Sequence, residues 1–248
     1  MESGTNITSI KRADAIAKIH VIYVQAYFRY QGRAGRLVEH MYSNDAETGL
    51  LVKSFEGVAG QYNVYPTSEY NSYETTRHTI EIMGRMVAAS THALNVQAVA
   101  HKIWANTLIP LTQKSENELI IRLWKWITGN IKLVEDERLI AQGDHGKELL
   151  ISPEVLLTMK QPQGDCDDFS MFTAAMLKLW GYSVRFVTGA AIQTSPDVYS
   201  HVWVRVMLQT SGEWLDLDCS HGKWLGWSVA DSIRRETGGE ILVTEWEV

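Results

Sequence analysis

Cys166 is one of only two cysteines in the chain, and the residues around it spell the start of a helix. Gly164-Asp165 precede it, and Phe169, Phe172, Met176 and Leu179 follow at helical spacing as one apolar stripe that Gly181 should end. A thiol in a first helical turn lies where backbone N–H groups and the macrodipole favour negative charge, which lowers its pKa. The same N–H groups can receive the oxygen of a carbonyl under attack. Asp165, Asp167 and Asp168 work against this, because carboxylates beside a thiolate raise its pKa. Asp165 and Asp168 read as helix-start carboxylates without chemistry; the carboxylates must point away from the thiol, or a cation must compensate.

His201 can supply that cation. It opens an alternating run in which His201, Trp203 and Arg205 share one face, while Val202, Val204, Val206 and Leu208 share the other. Trp214 to Cys219 forms the next strand-like run, with Asp216 and Asp218 on a common face. Pairing Leu208 with Glu213 across the loop Gln209-Thr210-Ser211-Gly212 puts Arg205 opposite Asp216 and Trp203 opposite Asp218. Asp218 is then the diagonal neighbour of His201, and Asp216 is a structural partner for Arg205. The resulting set is a nucleophile (Cys166), a general base and then acid (His201), and a carboxylate that fixes the imidazole tautomer (Asp218). Its chemistry is acyl transfer through a thioester. Trp203 and Trp214 are expected to wall the substrate cleft.

Competing readings of the same residues are weaker in pattern. A free cysteine is most often a small core hydrophobe, and Cys166 and Cys219 could instead pair as a disulfide. Cys166, His201, Cys219 and His221 are zinc-ligand types, but they show no Cys-x-x-Cys or His-x-x-x-His spacing, so no metal and no cofactor are expected. The remaining histidines have no partner pattern.

Three segments carry a family resemblance. Gly164-Asp165-Cys166-Asp167-Asp168-Phe169-Ser170, then Ser200-His201-Val202-Trp203-Val204, then Trp214-Leu215-Asp216-Leu217-Asp218-Cys219-Ser220 resemble the transglutaminase-like superfamily. Its members open a helix with G-x-C-x-D/E, follow with H-[AV]-W-[VI], and close with W-x-x-x-D-P-T. Cys219 and Ser220 depart from the last pattern, while the Trp214-to-Asp218 spacing supports Asp218 independently of the register. The resemblance covers about Lys114 to Val229. It implies an α+β fold with a papain-like core, in which a central helix bearing Cys166 packs on an antiparallel sheet. It implies a cysteine peptidase or deamidase rather than a cross-linking enzyme, acting on a protein or peptide. It also implies an oxyanion donor upstream of the cysteine, for which Trp126 and Asn130 are the candidates. The segment Gly222-Lys223-Trp224-Leu225-Gly226-Trp227 and the helical stretch Thr75–Ala100 are similar to small bacterial and bacteriophage-encoded members. A structural or virion-assembly role that uses the fold for docking is therefore the alternative.

Several elements must position these residues. Residues 1–110 are expected to form a mainly helical N-terminal region and residues 111–248 the transglutaminase-like domain. Apolar spacing predicts helices over Ile10–Phe28 and over Thr75–Thr107, a mixed loop and short helix over Gln31–Gly60, and an irregular connection over Tyr62–Tyr73. Ser115-x-x-Glu118 reads as a capping box before a helix ending near Gly129. Strands are expected at Ile131–Val134, Tyr182–Thr188 and Ile241–Val248, and a short helix from Ser152-Pro153 to about Lys160.

Composition is that of a folded chain, 45% hydrophobic and 21% charged. A net charge of −6 argues against a nucleic-acid partner. No apolar run reaches the roughly 18 residues of a membrane span. Asp14, Lys18, His20 and Gln25 interrupt the apolar stretch Ala13–Phe28, so it does not read as a signal peptide. Two cysteines exclude a disulfide scaffold and make a reducing, cytoplasmic setting the default, with virion proteins as further partners under the alternative reading.

Overall fold

The computed structural model describes residues 39–41, 51–55, 61–65, 72–105, 107, 109–135, 148–192 and 194–248. Its elements run β1 (Glu39–Met41), β2 (Leu51–Phe55), β3 (Gln61–Tyr65), α1 (Ser72–Ser90), α2 (Leu94–Trp104) and α3 (Gln113–Asn130). They continue with β4 (Lys132–Leu133), β5 (Glu148–Ile151), α4 (Pro153–Leu156), β6 (Gln163–Gly164) and α5 (Cys166–Leu179). The chain closes with β7 (Val184–Gly189), β8 (His201–Met207), β9 (Trp214–Leu217), α6 (Val229–Thr237) and β10 (Val243–Glu247).

Helix α5 is the centre of the fold. Its residues from Asp167 to Leu177 are all buried, because α1, α2, α3 and α4 and the strands β5 to β8 all pack around it. The sequence predicts one apolar stripe on this helix. The actual burial is all round, and small residues such as Ser170, Thr173, Ala174 and Ala175 fill the other faces. A helix covered on every side is a core element rather than an amphipathic surface one.

One side of that core is a four-stranded antiparallel sheet in the order β10-β7-β8-β9. The β8–β9 register is the one the loop length predicts: the Leu208 N–H donates to the Glu213 carbonyl at 2.9 Å, and Arg205 lies opposite Asp216. Arg205 and Asp216 form a two-pronged ion pair at 2.8 and 3.0 Å. The expected edge strand near the C-terminus is present as β10.

A second sheet, β1-β2-β3-β5, corrects two local expectations. Strands lie at Glu39–Met41 and Leu51–Phe55, where loop and short helix are predicted, and at Gln61–Tyr65, at the start of the predicted irregular connection. These short runs carry little periodicity of their own. β1, β2 and β3 pair with their neighbours in the chain, but β3 also pairs with β5, as when Tyr62 meets Leu150, and a pairing that distant leaves no local trace. The predicted helix over Ile10–Phe28 lies outside the described residues.

The predicted helix Thr75–Thr107 is two helices, α1 and α2, broken at Thr91–Ala93. The apolar stripe nonetheless holds across the break: Ile80, Met83, Val87, Val96 and Ile103 are all buried. Tertiary hydrogen bonds pin the break. Gln97 donates to the Thr91 carbonyl at 2.9 Å, Asn95 donates to the Glu154 carbonyl at 2.8 Å, and the Ser90 hydroxyl bonds Glu154. The cap of α3 is Thr112, three residues before the predicted Ser115. The Thr112 hydroxyl accepts from the Ser115 N–H at 3.2 Å, and the Ser115 hydroxyl accepts from the Thr112 N–H at 2.9 Å.

Candidate active site

The helix start that carries Cys166 is built by two carboxylates. Asp165 is the N-cap, and its side chain accepts from the Asp167 N–H at 3.3 Å. Asp168 reaches back to accept from the Asp165 N–H at 3.2 Å, closing the capping box. Its other oxygen accepts from the Ile151 N–H of β5 at 2.6 Å. Asp168 is completely buried, so it is a clamp between helix and strand rather than a reacting group. Cys166 follows the cap as the first helical residue and is half-buried.

This folding back explains the glycine two residues before the thiol. A Cβ on Gly164 would fall onto the Asp168 carboxylate and lie 2.7 Å from its Cβ. Gly164→Ala is expected to push Asp168 out of its clamp and cost about 2–3 kcal/mol. Urea unfolding checks this, and a loss below about 0.5 kcal/mol would show that the clamp tolerates the methyl.

His201 starts β8, and Asp218 stands just past the end of β9. They meet through His201 Nε2 and Asp218 Oδ2 at 2.7 Å, with both residues buried. The other carboxylate oxygen, Oδ1, accepts from the Ser220 N–H (3.0 Å), the Ser220 hydroxyl (2.9 Å) and the His221 N–H (2.9 Å). Burial alone would raise the Asp218 pKa. The hydrogen bond and charge of His201, then the His221 N–H and the Ser220 hydroxyl, outweigh it and hold the carboxyl below its ordinary range. Asp218 is thus an acceptor with both oxygens committed, which fixes the His201 Nε2 as donor.

Ser170 brings the helix and the strand together. Its hydroxyl lies 2.7 Å from the Cys166 carbonyl and 3.1 Å from the Val202 carbonyl, so one small side chain touches the backbones that carry the thiol and the imidazole. With Nε2 turned to Asp218, Nδ1 is the nitrogen of His201 left to exchange a proton with a thiol. Chemically, the arrangement offers a cysteine at a helix start, an imidazole in a set tautomer, and a carboxylate that stays ionised.

Residues 104–219 match the sequence model of the Transglutaminase-like superfamily. The match spans 116 of the chain's 248 residues. Among solved structures, a candidate cysteine protease from Cytophaga hutchinsonii is similar at 15% identity and a TM-score of 0.36, covering 75% of this chain and 62% of that one. A Rad4–Rad23 complex crosslinked to undamaged DNA is similar at 13% identity and a TM-score of 0.37, covering 73% of this chain and 48% of that one. The chain spans less than two thirds of the length of either. No curated protein matches it. The expected absence of a nucleic-acid partner gains no support from a comparison that includes a DNA-bound complex. Among the described residues, no helix is long and apolar enough to cross a membrane.

The two tryptophans expected to wall the cleft stand in different surroundings. Trp203 is only 1% exposed. It stacks on His201 with ring centroids 5.8 Å apart, and its Nε1 donates to Asp216 at 2.8 Å. It backs the imidazole instead of offering a face to substrate. Trp214 pairs with Met207 at the turn end of the β8–β9 hairpin and lies under the Arg185 guanidinium at 4.3 Å. At about 3.3 Å per residue, that is some four residues and roughly 13 Å along the strand from Asp218. Alternation finds the face of a strand but says nothing about which end the cleft occupies.

Of the two oxyanion candidates, Asn130 donates to the Trp126 carbonyl within its own helix, at 2.7 Å, and Trp126 stacks on Phe172 at 5.3 Å. Trp126 is engaged in packing, and exposed Asn130 in a bond within its own helix. Cys219 is buried, and its thiol is pushed up to about 12, first by burial, which removes it from nucleophile, disulfide and zinc roles. Cys166 and Cys219 are not joined as a disulfide. The site also contains Ser220 and His221, which the sequence offered only as a departure from the motif and as a zinc-ligand type. Ser220 and His221 follow Asp218 at i+2 and i+3, the spacing at which an Asp side chain caps its own turn, and that signal was available. Gly222 completes the turn, because a Cβ there would collide with the Asp218 carbonyl.

Proposed function

We propose that the protein is a thiol acyl-transfer enzyme that hydrolyses or deamidates protein amide bonds. Cys166 is the nucleophile, His201 the general base and then acid, and Asp218 the residue that orients His201. The observation that carries this reading is the buried 2.7 Å His201–Asp218 hydrogen bond, on a strand whose backbone shares the Ser170 hydroxyl with Cys166. His201 Nδ1 takes the Cys166 proton, and the thiolate adds to the amide carbonyl. The oxygen of the tetrahedral intermediate is stabilised by N–H groups at the start of α5. As the C–N bond breaks, His201 returns the proton to the leaving amine and a thioester remains. His201 then takes a proton from water, the hydroxide equivalent displaces the thiolate, and the acid product and free thiol are regenerated. The superfamily match over residues 104–219 agrees with this reading. A peptide or protein is the expected substrate.

The test is the rate of iodoacetamide alkylation at Cys166 against pH. Buried Cys219 does not compete for the reagent. Alkylation is expected to stay fast well below the reference thiol pKa of about 8.5 and to slow by about tenfold or more at pH 6 in His201→Ala. A rate no faster than a free thiol, unchanged by His201→Ala, would sink the reading. A stoichiometric protein complex that forms equally well with Cys166→Ala would then favour docking or virion assembly as the function.

A further inference from the structure

The turn after Asp218 brings a second histidine against the first. The His221 and His201 rings stand edge to face with centroids 4.8 Å apart. One ligand atom from each of His201, Asp218 and His221 can be chosen so that all three lie within 4.8 Å of one another. His221 is on the solvent side of this group, while His201 and Asp218 are buried.

We propose that His201, Asp218 and His221 form a binding site for a divalent transition-metal ion of the zinc type. Two imidazoles and one carboxylate are borderline-soft ligands that suit zinc and do not suit calcium or magnesium, which take all-oxygen shells. Three protein ligands leave a fourth position to water. Tetrahedral zinc with bonds of 2.0–2.1 Å needs its ligand atoms about 3.3 Å apart. The His201 Nε2–Asp218 Oδ2 pair, now 2.7 Å apart, must open slightly to admit the ion, and exposed His221 must move in by roughly 1 Å. This site differs from the cysteine-containing set suggested by residue types alone: Cys219 is buried in the core, and Asp218 takes its place.

Occupancy also bears on the thiol chemistry, a consequence that rests on the function proposed above. Zinc on His201 Nε2 replaces the hydrogen bond to Asp218 and leaves the single proton of the neutral ring on Nδ1. His201 then has no lone pair to accept the Cys166 proton. The ion is an inhibitor of the enzyme, not a cofactor.

The experiment titrates the full-length protein with Zn²⁺ alone, in competition with a chromophoric chelator, for wild type, Cys166→Ala, His221→Ala and His221→Gln. Wild type and Cys166→Ala are each expected to bind one zinc, and both His221 variants to bind it about tenfold or more weakly. Two His221 variants with unchanged circular dichroism keep the result free of folding defects. Loss of binding in Cys166→Ala overturns the site, because the metal would then depend on the thiol. Equal binding by the His221 variants also overturns it. Alkylation of wild-type Cys166 should fall to the His201→Ala rate when zinc is added and recover with EDTA. If alkylation in metal-free buffer is already indifferent to His201, the triad reading fails, while the zinc stoichiometry is still read from Cys166→Ala.

Discussion

Asp218→Asn is expected to lower turnover of an amide substrate by about 10³–10⁴-fold without unfolding the protein. Asn has nearly the shape of Asp, but its two ends differ. Three donors converge on the Oδ1 side: the Ser220 N–H, the Ser220 hydroxyl and the His221 N–H. That side must keep the amide oxygen, so the NH₂ group is forced toward His201 Nε2. Two donors cannot face each other at 2.7 Å. The ring responds by moving its proton to Nδ1, the nitrogen that must accept from Cys166. Alkylation at pH 6 should slow together with turnover. Turnover within tenfold of wild type, with an unmoved alkylation profile, would show that the tautomer is not set by Asp218. The substitution also removes a stabilising charge. Because the Asp218 carboxyl titrates below its ordinary range in the fold, its contribution is complete above the unfolded carboxylate pKa. It is lost as pH falls through the lowered value. Wild type should therefore lose an acid-labile part of its stability that Asp218→Asn lacks.

Glu116→Ala is expected to reduce unfolding free energy by about 3 kcal/mol, a drop of roughly 6–12 °C in Tm. Glu116 lies in the first turn of α3 and is fully buried. Its carboxylate accepts from the Gln209 N–H at 2.7 Å, from the Thr210 N–H at 3.1 Å, and from the Thr210 hydroxyl. Those donors form the turn of the hairpin whose far end holds His201 and Asp218. The buried Tyr182 phenol, raised above its ordinary range first by burial and then by the Glu116 charge, stands beside the same group. Alanine removes three bonds to a charged acceptor and leaves a void in the packing around α3. Glu116→Gln should recover about half the loss, because one acceptor oxygen remains. Urea unfolding with an unchanged m-value measures both. A loss under about 1 kcal/mol would mean that water replaces the carboxylate at this turn.

Neither residue of this last pair was legible as partners. Glu116 and Thr210 are far apart in the chain, and nothing in either neighbourhood points to the other. The same holds for β3 and β5, whose pairing joins Gln61 to Ile151. The break between α1 and α2 is held by Glu154 and its own helix, which no periodicity within residues 75–107 could announce. Trp214 carried a motif position and a strand face, yet it stands at the turn end of the hairpin, opposite Met207. The side of α5 opposite its apolar stripe is buried by neighbours, not by its own composition.

What the sequence alone determined is what a few adjacent residues can settle among themselves. Asp165 caps the helix and Cys166 begins it, because the cap is made by side chains reaching N–H groups two and three residues away. The β8–β9 register follows from a four-residue loop and strict alternation, and it brings Asp218 to His201 and Asp216 to Arg205. Cys, His and Asp could thus be named in order. Tertiary structure alone decided that helix and hairpin meet through Ser170, that Trp203 backs His201 from inside, and that His221 turns toward the pair. Those contacts depend on how separately formed elements pack. Packing depends on shape and burial summed over the whole core, which no short window of residues contains.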